Sequence, residues 1–213
     1  MAELVFYTHA WSRGRVARWM LEEVGQPYET VFLDYDSSMK APDYLAVNPM
    51  GKVPALKHGD AVVTEVAAIC AYLADAFPEA ELAPPPGSPE RAAYYRWLFF
   101  ASGPVEAAII DRALGLAVPA DKKMMVGYGD YGTVVDVLDR HLATASYVAG
   151  ERFTAADVYL GAQIGWGIQF GTLPKRDSFA AYAARVYDRP AALRARDIDD
   201  QAAAAAEAAK TAG

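Results

Sequence analysis

The loop before Pro54 holds the backbone groups best suited to bind another molecule. It reads Asn48-Pro-Met-Gly-Lys-Val-Pro-Ala-Leu56, with Gly51 in the loop and an apolar run beginning at Pro54. A residue that precedes proline is driven to extended geometry, and an X–Pro bond can be held cis. If the Val53–Pro54 bond is cis, the N–H and C=O of Val53 turn away from the sheet. They would then pair with an extended peptide in the way that an added strand does.

A second set of polar atoms is predicted about ten residues further on, where a helix begins. Thr64 is a good N-cap residue, and Glu65 falls in the first turn. The apolar face consists of Val66, Ile69, Cys70, Leu73 and Phe77, and Pro78 ends the helix. The start of a helix offers N–H groups to a carboxylate, and the side chain of Glu65 attracts an ammonium group. Both charged groups of an amino acid would be met there.

The Val53-Pro54 and Thr64-Glu65 pairs at this separation resemble the amino-terminal half of the glutathione transferase family. The likeness covers nearly the whole chain, and it implies a thioredoxin-like domain followed by an all-helical domain. It also implies that glutathione binds at the loop before a cis-proline, with Val53 pairing with the cysteinyl backbone. Glu65 would meet the γ-glutamyl end. The family usually has a serine after this glutamate, whereas Val66 keeps only the backbone N–H.

The resemblance implies two further contacts with glutathione. Lys52 either neutralises the glycyl carboxylate or is a solvated loop lysine, and Arg13 is a weaker candidate for a second anion contact. Trp11 and His9 are placed to reach the sulfur or to line the pocket for the second substrate. We therefore expect the binding residues to lie in two loops at the ends of neighbouring strands.

Glutathione chemistry needs a thiolate, because the neutral thiol is a poor nucleophile. A hydroxyl between the first strand and the first helix would stabilise it by a hydrogen bond and by the helix dipole. Ser12 stands there, before Arg13-Gly14-Arg15, and serine-type family members place their hydroxyl in this loop; Ser12 is also a good N-cap residue. Tyr7 is the alternative, since tyrosine-type members use a phenol at the end of the first strand. Alternation with Val5 inward and Phe6 outward would equally bury Tyr7.

The resemblance places the pocket for an electrophile between the two domains. Candidate walls are the side chains of His9, Trp11, Phe99, Phe100, Trp166 and Phe170. Taken singly, these aromatic residues fit a core better than a pocket wall, so the sequence says little about the second substrate.

The elements that would position these residues follow from the hydrophobic pattern. Their order is βαβ followed by ββα, which predicts a mixed four-stranded sheet and an α/β domain over residues 1–79. The predicted elements are strands at Leu4–Thr8 and Tyr28–Leu33 around a helix from about Arg13 to Val24, a short helix near Pro42–Ala46, a hairpin of Pro54–Lys57 and Ala61–Thr64 around His58-Gly59-Asp60, and a helix beginning at Glu65.

The second half of the chain shows helical patterns without a further strand. Pro84-Pro85-Pro86-Gly87 is the clearest composition break and predicts a linker over 80–87, followed by an all-α domain over 88–213. We expect a helix start at Ser88, an interruption at Gly103-Pro104 and a helix within Asp121–Ser146. The alanine-rich tail has high helix propensity without an amphipathic stripe, which indicates a surface or frayed position.

The sharpest signal of the second half is at Thr154. Thr154 and Asp157 have the spacing of a capping box, and Phe153 and Val158 occupy the positions of a hydrophobic staple. The same capped helix occurs in the second domain of glutathione transferases, where its role is structural. We therefore assign Thr154 and Asp157 to folding.

Composition limits the remaining possibilities. The 213 residues carry a net charge of −7 without a run of Lys or Arg, so we expect no nucleic-acid partner. The single cysteine, Cys70, excludes an internal disulfide or a CxxC pair and fits a reducing compartment. Neither a signal peptide nor a membrane-spanning run is visible, and we expect a cytoplasmic protein without membrane association.

The leading hypothesis is an enzyme that joins glutathione, as co-substrate, to small apolar electrophiles without a metal or organic cofactor. One alternative is reduction of peroxides or disulfides by glutathione at the same site, for which Cys70 on an apolar helix face is a poor redox centre. Another is a noncatalytic glutathione-binding or scaffold protein. Val66 supports that alternative, and the Ser12 loop argues against it. The resemblance also implies a homodimer.

Overall fold

The structure, a computed structural model, describes residues 3–211, which form two compact units. The first contains the described residues up to Ala80 together with those from Arg189 onward, and the second is Glu81–Asp188. The strands of the first unit are β1 (Leu4–Thr8), β2 (Glu29–Phe32), β3 (Ala55–His58) and β4 (Ala61–Thr64). They form one sheet in the order β2-β1-β3-β4, in which only the β1–β2 pair is parallel. This confirms the predicted mixed α/β sheet.

The helices surround this sheet in the first unit and make up the second unit. They are α1 (Gly14–Val24), α2 (Pro42–Leu45), α3 (Val66–Ala76), α4 (Pro89–Phe100), α5 (Glu106–Ala113), α6 (Tyr131–Leu142), α7 (Ala155–Gln169), α8 (Asp177–Tyr187) and α9 (Pro190–Thr211), with 3₁₀ turns at Ser38–Lys40, Pro78–Ala80 and Ala120–Met125 and a π turn at Ala101–Val105. Several helix ends follow local signals. For example, α1 ends at Gly25, whose φ of 72° is the left-handed conformation of a C-terminal glycine.

Both faces of β1 are covered. Phe6 is fully buried, with the ring of Tyr28 edge-on at 6.2 Å and the guanidinium of Arg18 at 5.1 Å. Tyr7 points to the opposite face and is half-buried beside a separate apolar cluster. The prediction that Phe6 faces outward is therefore wrong, because alternation identifies two faces without showing that either is open to water.

The start of α3 also differs from the prediction. Thr64 is the last residue of β4, where it pairs with Ala55, and it does not cap the helix. Glu65 occupies the N-cap position instead, without a hydrogen bond from its side chain to the helix. Thr64 therefore ends the predicted strand by pairing with β3, and the helix start falls to Glu65.

The carboxyl-terminal helix α9 belongs with the first unit, which differs from the predicted helical domain over 88–213. It packs against α1, and Ala195 and Ala203 are buried in that unit. A fully buried ion pair joins the two helices, with Arg18 Nε 2.7 Å from Asp199 Oδ1. The alanine-rich tail, predicted at a surface or frayed position, is helical to Thr211; residues 204–209 are exposed, and the packed part of α9 lies before them. Its small side chains allow a close approach that a hydrophobic stripe does not reveal.

Two other boundaries of the second unit differ from the sequence analysis. The predicted linker begins to pack at Leu82, which is buried and whose carbonyl accepts the N–H of Ala155 at 2.8 Å. The helix predicted within Asp121–Ser146 forms only over Tyr131–Leu142, because the glycine-rich stretch before it adopts a turn with Gly129 at a φ of 72°. Ser88 caps α4 as predicted, by accepting the N–H of Arg91.

The predicted capping box at the start of α7 is confirmed. Asp157 Oδ2 accepts the N–H and the hydroxyl of Thr154, each at 2.9 Å. Its other oxygen, Oδ1, accepts the N–H of Val148 at 2.8 Å and the hydroxyl of Tyr182 at 2.9 Å. Burial raises the pKa of Asp157 to about 6, and these hydrogen bonds oppose that rise. Four donors on one buried carboxylate tie two helices and a loop together.

No helix within residues 3–211 is both long and apolar enough to span a bilayer.

Candidate active site

The register of the sheet brings three chain segments to one edge. Tyr7 near the end of β1 lies opposite Ala55 at the start of β3, and Ala55 lies opposite Thr64 at the end of β4. Neighbouring strands are about 4.8 Å apart, so the segments that continue from these residues are neighbours. They are the loop from His9 to Ser12, the Val53–Pro54 bond and Glu65. The structure therefore groups most of the predicted glutathione contacts at this edge of the sheet.

The Val53–Pro54 peptide bond is cis, which is the geometry that the sequence predicts. Val53 precedes β3, and no hydrogen bond between residues 3–211 involves its N–H or its C=O. Its side chain is packed beside the cluster around Tyr44, so the backbone is held in place while its polar groups remain available. This arrangement offers one donor and one acceptor to an extended peptide.

The loop before Val53 is braced by side chains. The carbonyl of Lys52 accepts the hydroxyl of Tyr44 at 2.6 Å and the amide Nδ2 of Asn48 at 2.7 Å. The Lys40 ammonium donates to the carbonyl of Gly51 at 2.7 Å. Burial raises the pKa of Tyr44 to about 12, so its hydroxyl keeps its proton and remains a donor. The carbonyls of Gly51 and Lys52 are thereby held in place.

Gly51 is required by this geometry. Its φ is 57°, and a Cβ atom there would lie 2.9 Å from the carbonyl oxygen of Met39. Any side chain at this position would push the loop away from Met39.

Glu65 has a strained backbone, with φ 64° and ψ 121°, a conformation that residues other than glycine seldom adopt. Such strain collects at functional sites, because the surrounding structure must enforce it. The side chain is exposed, and no described residue pairs with its carboxylate. The N–H of Val66 is one of the unpaired donors at the start of α3. A carboxylate and a backbone donor thus stand side by side, as the sequence predicts.

Ser12 is half-buried just before α1 and makes two local hydrogen bonds. Its hydroxyl donates to the carbonyl of His9 at 2.7 Å, and its oxygen accepts the N–H of Gly14 at 2.9 Å. Arg13, not Ser12, occupies the N-cap position of α1, and its side chain is exposed. The Ser12 oxygen therefore already lies at the positive end of the helix, but its proton is directed at the protein.

The phenol of Tyr7 presents the opposite situation. Its ring packs against that of Tyr44 at a centroid distance of 5.5 Å and lies in the same apolar cluster as Val53. No hydrogen bond from its hydroxyl to another described residue is present. The Tyr7 hydroxyl thus keeps its proton available, whereas the Ser12 hydroxyl donates to the His9 carbonyl.

The remaining residues of the first loop are held in a fixed arrangement. His9 Nδ1 accepts the N–H of Trp11 at 3.1 Å, and the ring of His9 packs on that of Tyr35 at 4.4 Å. The Tyr35 hydroxyl donates to the carbonyl of Trp11 at 2.9 Å. The Trp11 side chain is 64% exposed, with the guanidinium of Arg15 5.1 Å from the ring centre. His9 and Trp11 therefore line the loop surface and do not belong to the core.

The other predicted pocket residues lie in the second unit. Phe99 and Phe170 are exposed, while Phe100 is half-buried with its ring edge-on to Trp97 at 5.5 Å. Trp166 is half-buried one turn before Phe170 near the end of α7. Within the described part of the chain, no ring contact joins Phe99 or Phe100 to Trp166 or Phe170.

Redox and metal chemistry find no support in the side chains of residues 3–211. Cys70 is fully buried, and burial raises the pKa of its thiol to about 12. In this part of the chain no group of three or more His, Cys, Asp or Glu side chains could hold a metal ion. Lys52 is exposed, and no described residue forms an ion pair with it.

Several residues that shape the site were not identified from the sequence. Tyr44 and Lys40 brace the loop before Val53, and Arg15 donates through Nε to the carbonyl of Ala10 at 2.7 Å. A lone tyrosine, lysine or arginine carries no local signal for such contacts, since each depends on the packing of a distant segment. Asn48 lies within the recognised loop motif, and its spacing to Lys52 is the only local hint.

Comparisons with known proteins place this chain among named relatives. The family model described as "Glutathione S-transferase, N-terminal domain" matches residues 12–76. The protein named Glutathione S-transferase GST-4.5 from Xanthomonas campestris pv. campestris is 30% identical over 182 residues, which cover 81% of this chain and 89% of that protein.

Solved structures extend the similarity to nearly the full length. A glutathione transferase from Methylococcus capsulatus superposes with a TM-score of 0.76 at 29% identity, covering 93% of this chain and 99% of the other. A sphingomonad glutathione S-transferase complexed with glutathione gives a TM-score of 0.74 at 28% identity, covering 92% and 98% of the two chains.

Proposed function

Because the chain belongs to the glutathione S-transferase family, we propose that it is a glutathione transferase that binds glutathione at the sheet edge formed by Val53 and Glu65. The observation that carries this proposal is the N–H and C=O of Val53, which have no hydrogen-bond partner among residues 3–211 and stand beside a cis bond. In the proposed complex these groups pair with the cysteinyl residue of glutathione. Pro54 keeps the segment clear of the sheet.

The charged ends of glutathione are met by the two flanking segments. The carboxylate of Glu65 attracts the γ-glutamyl ammonium, and the N–H of Val66 donates to the neighbouring carboxylate at the start of α3. Lys52, with its exposed ammonium, faces the glycyl carboxylate, and Arg13 supplies a second positive charge. The solved sphingomonad relative, described as complexed with glutathione, supports the same ligand here.

We assign thiolate stabilisation to Ser12. A thiol pKa near ~8.5 must fall by ~2 units, which requires about 2.7 kcal/mol of preferential interaction with the thiolate. A hydrogen bond to a charged group contributes ~1.5–3 kcal/mol, whereas the neutral bond from Ser12 to the His9 carbonyl is worth ~0.5–1.5 kcal/mol. Rotation of the hydroxyl toward sulfur is therefore favourable, and the positive end of α1 supplies the remainder.

Tyr7 remains the alternative donor. Its hydroxyl gives up no protein hydrogen bond among the described residues, but its ring lies on the strand and not at the start of a helix. Without the helix dipole, one phenol bond alone supplies at most about 3 kcal/mol. This difference favours Ser12 only modestly, so the two residues are tested together.

The other two hypotheses fare less well. Reduction of a peroxide or disulfide by glutathione at the same site gains no second thiol from the protein, because Cys70 is buried in α3 with a pKa of about 12. A noncatalytic role is opposed by the similarity to a relative named as a glutathione S-transferase, which this chain matches over most of its length. Three points stay predictions. They are a small apolar electrophile as second substrate, with His9 and Trp11 close to the sulfur, the homodimer, and the cytoplasmic location.

The test compares wild type, Ser12→Ala and Tyr7→Phe, with Ser102→Ala as a matched control on a half-buried serine of the second unit. Glutathione affinity, the ultraviolet absorbance of the bound thiolate and turnover of an activated aryl chloride are measured for each. We expect Ser12→Ala to retain binding while losing the thiolate and about 10²-fold in turnover. Undiminished turnover in Ser12→Ala would remove its role, and absence of glutathione binding in wild type would refute the proposed function.

A further inference from the structure

The loop that carries Ser12 has backbone carbonyls that neither helix nor strand can satisfy. Side chains take this role: Ser12 donates to the carbonyl of His9, Tyr35 to that of Trp11, and Arg15 Nε to that of Ala10 at 2.7 Å. The loop conformation therefore depends on side chains that must themselves be held in place.

Arg15 is held by the carboxyl-terminal helix. Its Nη1 lies 2.7 Å from Asp200 Oδ1 in α9, while its guanidinium stands over the ring of Trp11 at 5.1 Å. The third nitrogen, Nη2, is buried and has no partner among the described residues. Only two hydrogen bonds thus orient this guanidinium, one to the loop and one to Asp200, and loss of Asp200 leaves the loop contact alone.

Asp200 is itself fixed relative to α1. The adjacent Asp199 forms the buried pair with Arg18, and both side chains are 1% exposed. At the other end of the contact, Arg189 pairs with Glu23, with Nη2 and Oε2 2.7 Å apart. Because the Arg18–Asp199 and Glu23–Arg189 pairs join α9 and the residue before it to α1 at two points, Asp200 lies at a defined position beside Arg15.

We propose that Arg15 and Asp200 are positioning residues, through which α9 holds the His9–Ser12 loop in the geometry that stabilises the thiolate. The catalytic part of this inference rests on the proposed function. Asp200 is 55% exposed, so the ion pair itself adds little to global stability. Its effect is exerted on the direction of the Ala10 carbonyl and on the Trp11 ring, and hence on the position of Ser12.

The test uses Asp200→Asn with Asp197→Asn as the matched control. Asp197 lies on the same helix, is exposed, and pairs only with the neighbouring Arg196 at 3.7 Å among the described ion pairs. Arg15→Lys is a third variant, since it keeps the charge but cannot form both contacts. For each protein, hydrogen exchange of the Trp11 and Gly14 amides is measured without ligand. The pH dependence of the glutathione thiolate signal, kcat, KM for glutathione and the urea midpoint are then compared.

We expect Asp200→Asn and Arg15→Lys to speed exchange of these amides and to raise the apparent pKa of bound glutathione. We expect kcat to fall by about three- to tenfold with an unchanged urea midpoint, and Asp197→Asn to match wild type. The proposal is overturned if Asp200→Asn matches Asp197→Asn in exchange. It is also overturned if wild type binds and ionises glutathione, and the Asp200→Asn loop exchanges faster while the apparent pKa of bound glutathione stays at the wild-type value. Faster exchange in a protein that binds no glutathione would support the positioning and refute the proposed function.

Discussion

Replacement of Gly14 by alanine tests how tightly the Ser12 loop is packed against the sheet. Gly14 is buried at the first position of α1, and a Cβ atom there would lie 1.9 Å from Thr8 Oγ1 and 2.9 Å from Ser12 Oγ. Contacts to a Cβ below 3.0 Å are essentially absent from proteins, so the two segments must separate by roughly 1 Å. Thr8 is fully buried and cannot turn away without displacing its neighbours.

Two opposing effects set the size of the change. Alanine is favoured over glycine in a helix by ~1 kcal/mol, whereas overpacking a buried site costs ~1–3 kcal/mol and occasionally more. We expect Gly14→Ala to lower the free energy of unfolding by about 1–2 kcal/mol, because the overlap is with a buried atom. A displacement of Ser12 by about 1 Å should lower kcat/KM by 10- to 100-fold. The loss of activity should thus exceed what the loss of stability explains.

The assay is a double-mutant cycle with Thr8→Ala, which removes Oγ1 and leaves the Thr8 Cβ atom 3.0 Å from the new methyl group. Urea unfolding and turnover are measured for both single variants and the double variant. Gly103→Ala is the control, since a Cβ there meets nothing within 4 Å. The reasoning is refuted if Gly14→Ala behaves like Gly103→Ala, or if Thr8→Ala restores neither stability nor activity.

Three further outcomes are expected. Tyr44→Phe should weaken glutathione binding about three- to tenfold, measured by calorimetry, because the Lys52 carbonyl loses one of its two donors. Asp157→Ala should lower the free energy of unfolding in urea by about 3–5 kcal/mol, since four donors lose a buried acceptor. Cys70 should resist a maleimide in the native protein and react once per chain in urea, because burial raises its pKa to about 12.

Each of these has a control. Tyr72→Phe removes a hydroxyl that contacts His58 at the far end of β3, and an equal loss of affinity there would contradict the role given to Tyr44. Asp136→Ala removes an exposed surface partner of Arg176 and should change stability by less than about 1 kcal/mol. If Asp157→Ala costs no more than that, its network is not structural. Rapid labelling of Cys70 without denaturant would show that α3 opens readily.

The sequence by itself determined the features that depend on a few adjacent residues. Pro54 indicated the cis bond, Gly25 the end of α1, and the spacing of Thr154 and Asp157 the capping box, all of which the structure contains. The reason is that turn, cap and proline geometries are set by local sterics and local hydrogen bonds. The same signals support the resemblance to the glutathione transferase family.

The tertiary structure alone decided how distant segments meet. It buried Phe6, gave the N-cap position of α3 to Glu65 instead of Thr64 and left the strained backbone to Glu65. It also joined Arg15 to Asp200, 185 positions away in the chain, and packed the first part of α9 on α1. No local pattern encodes such contacts, because each arises only when two elements that are separately stable bury a common surface. The precise placement of Ser12 is therefore a property of the folded unit.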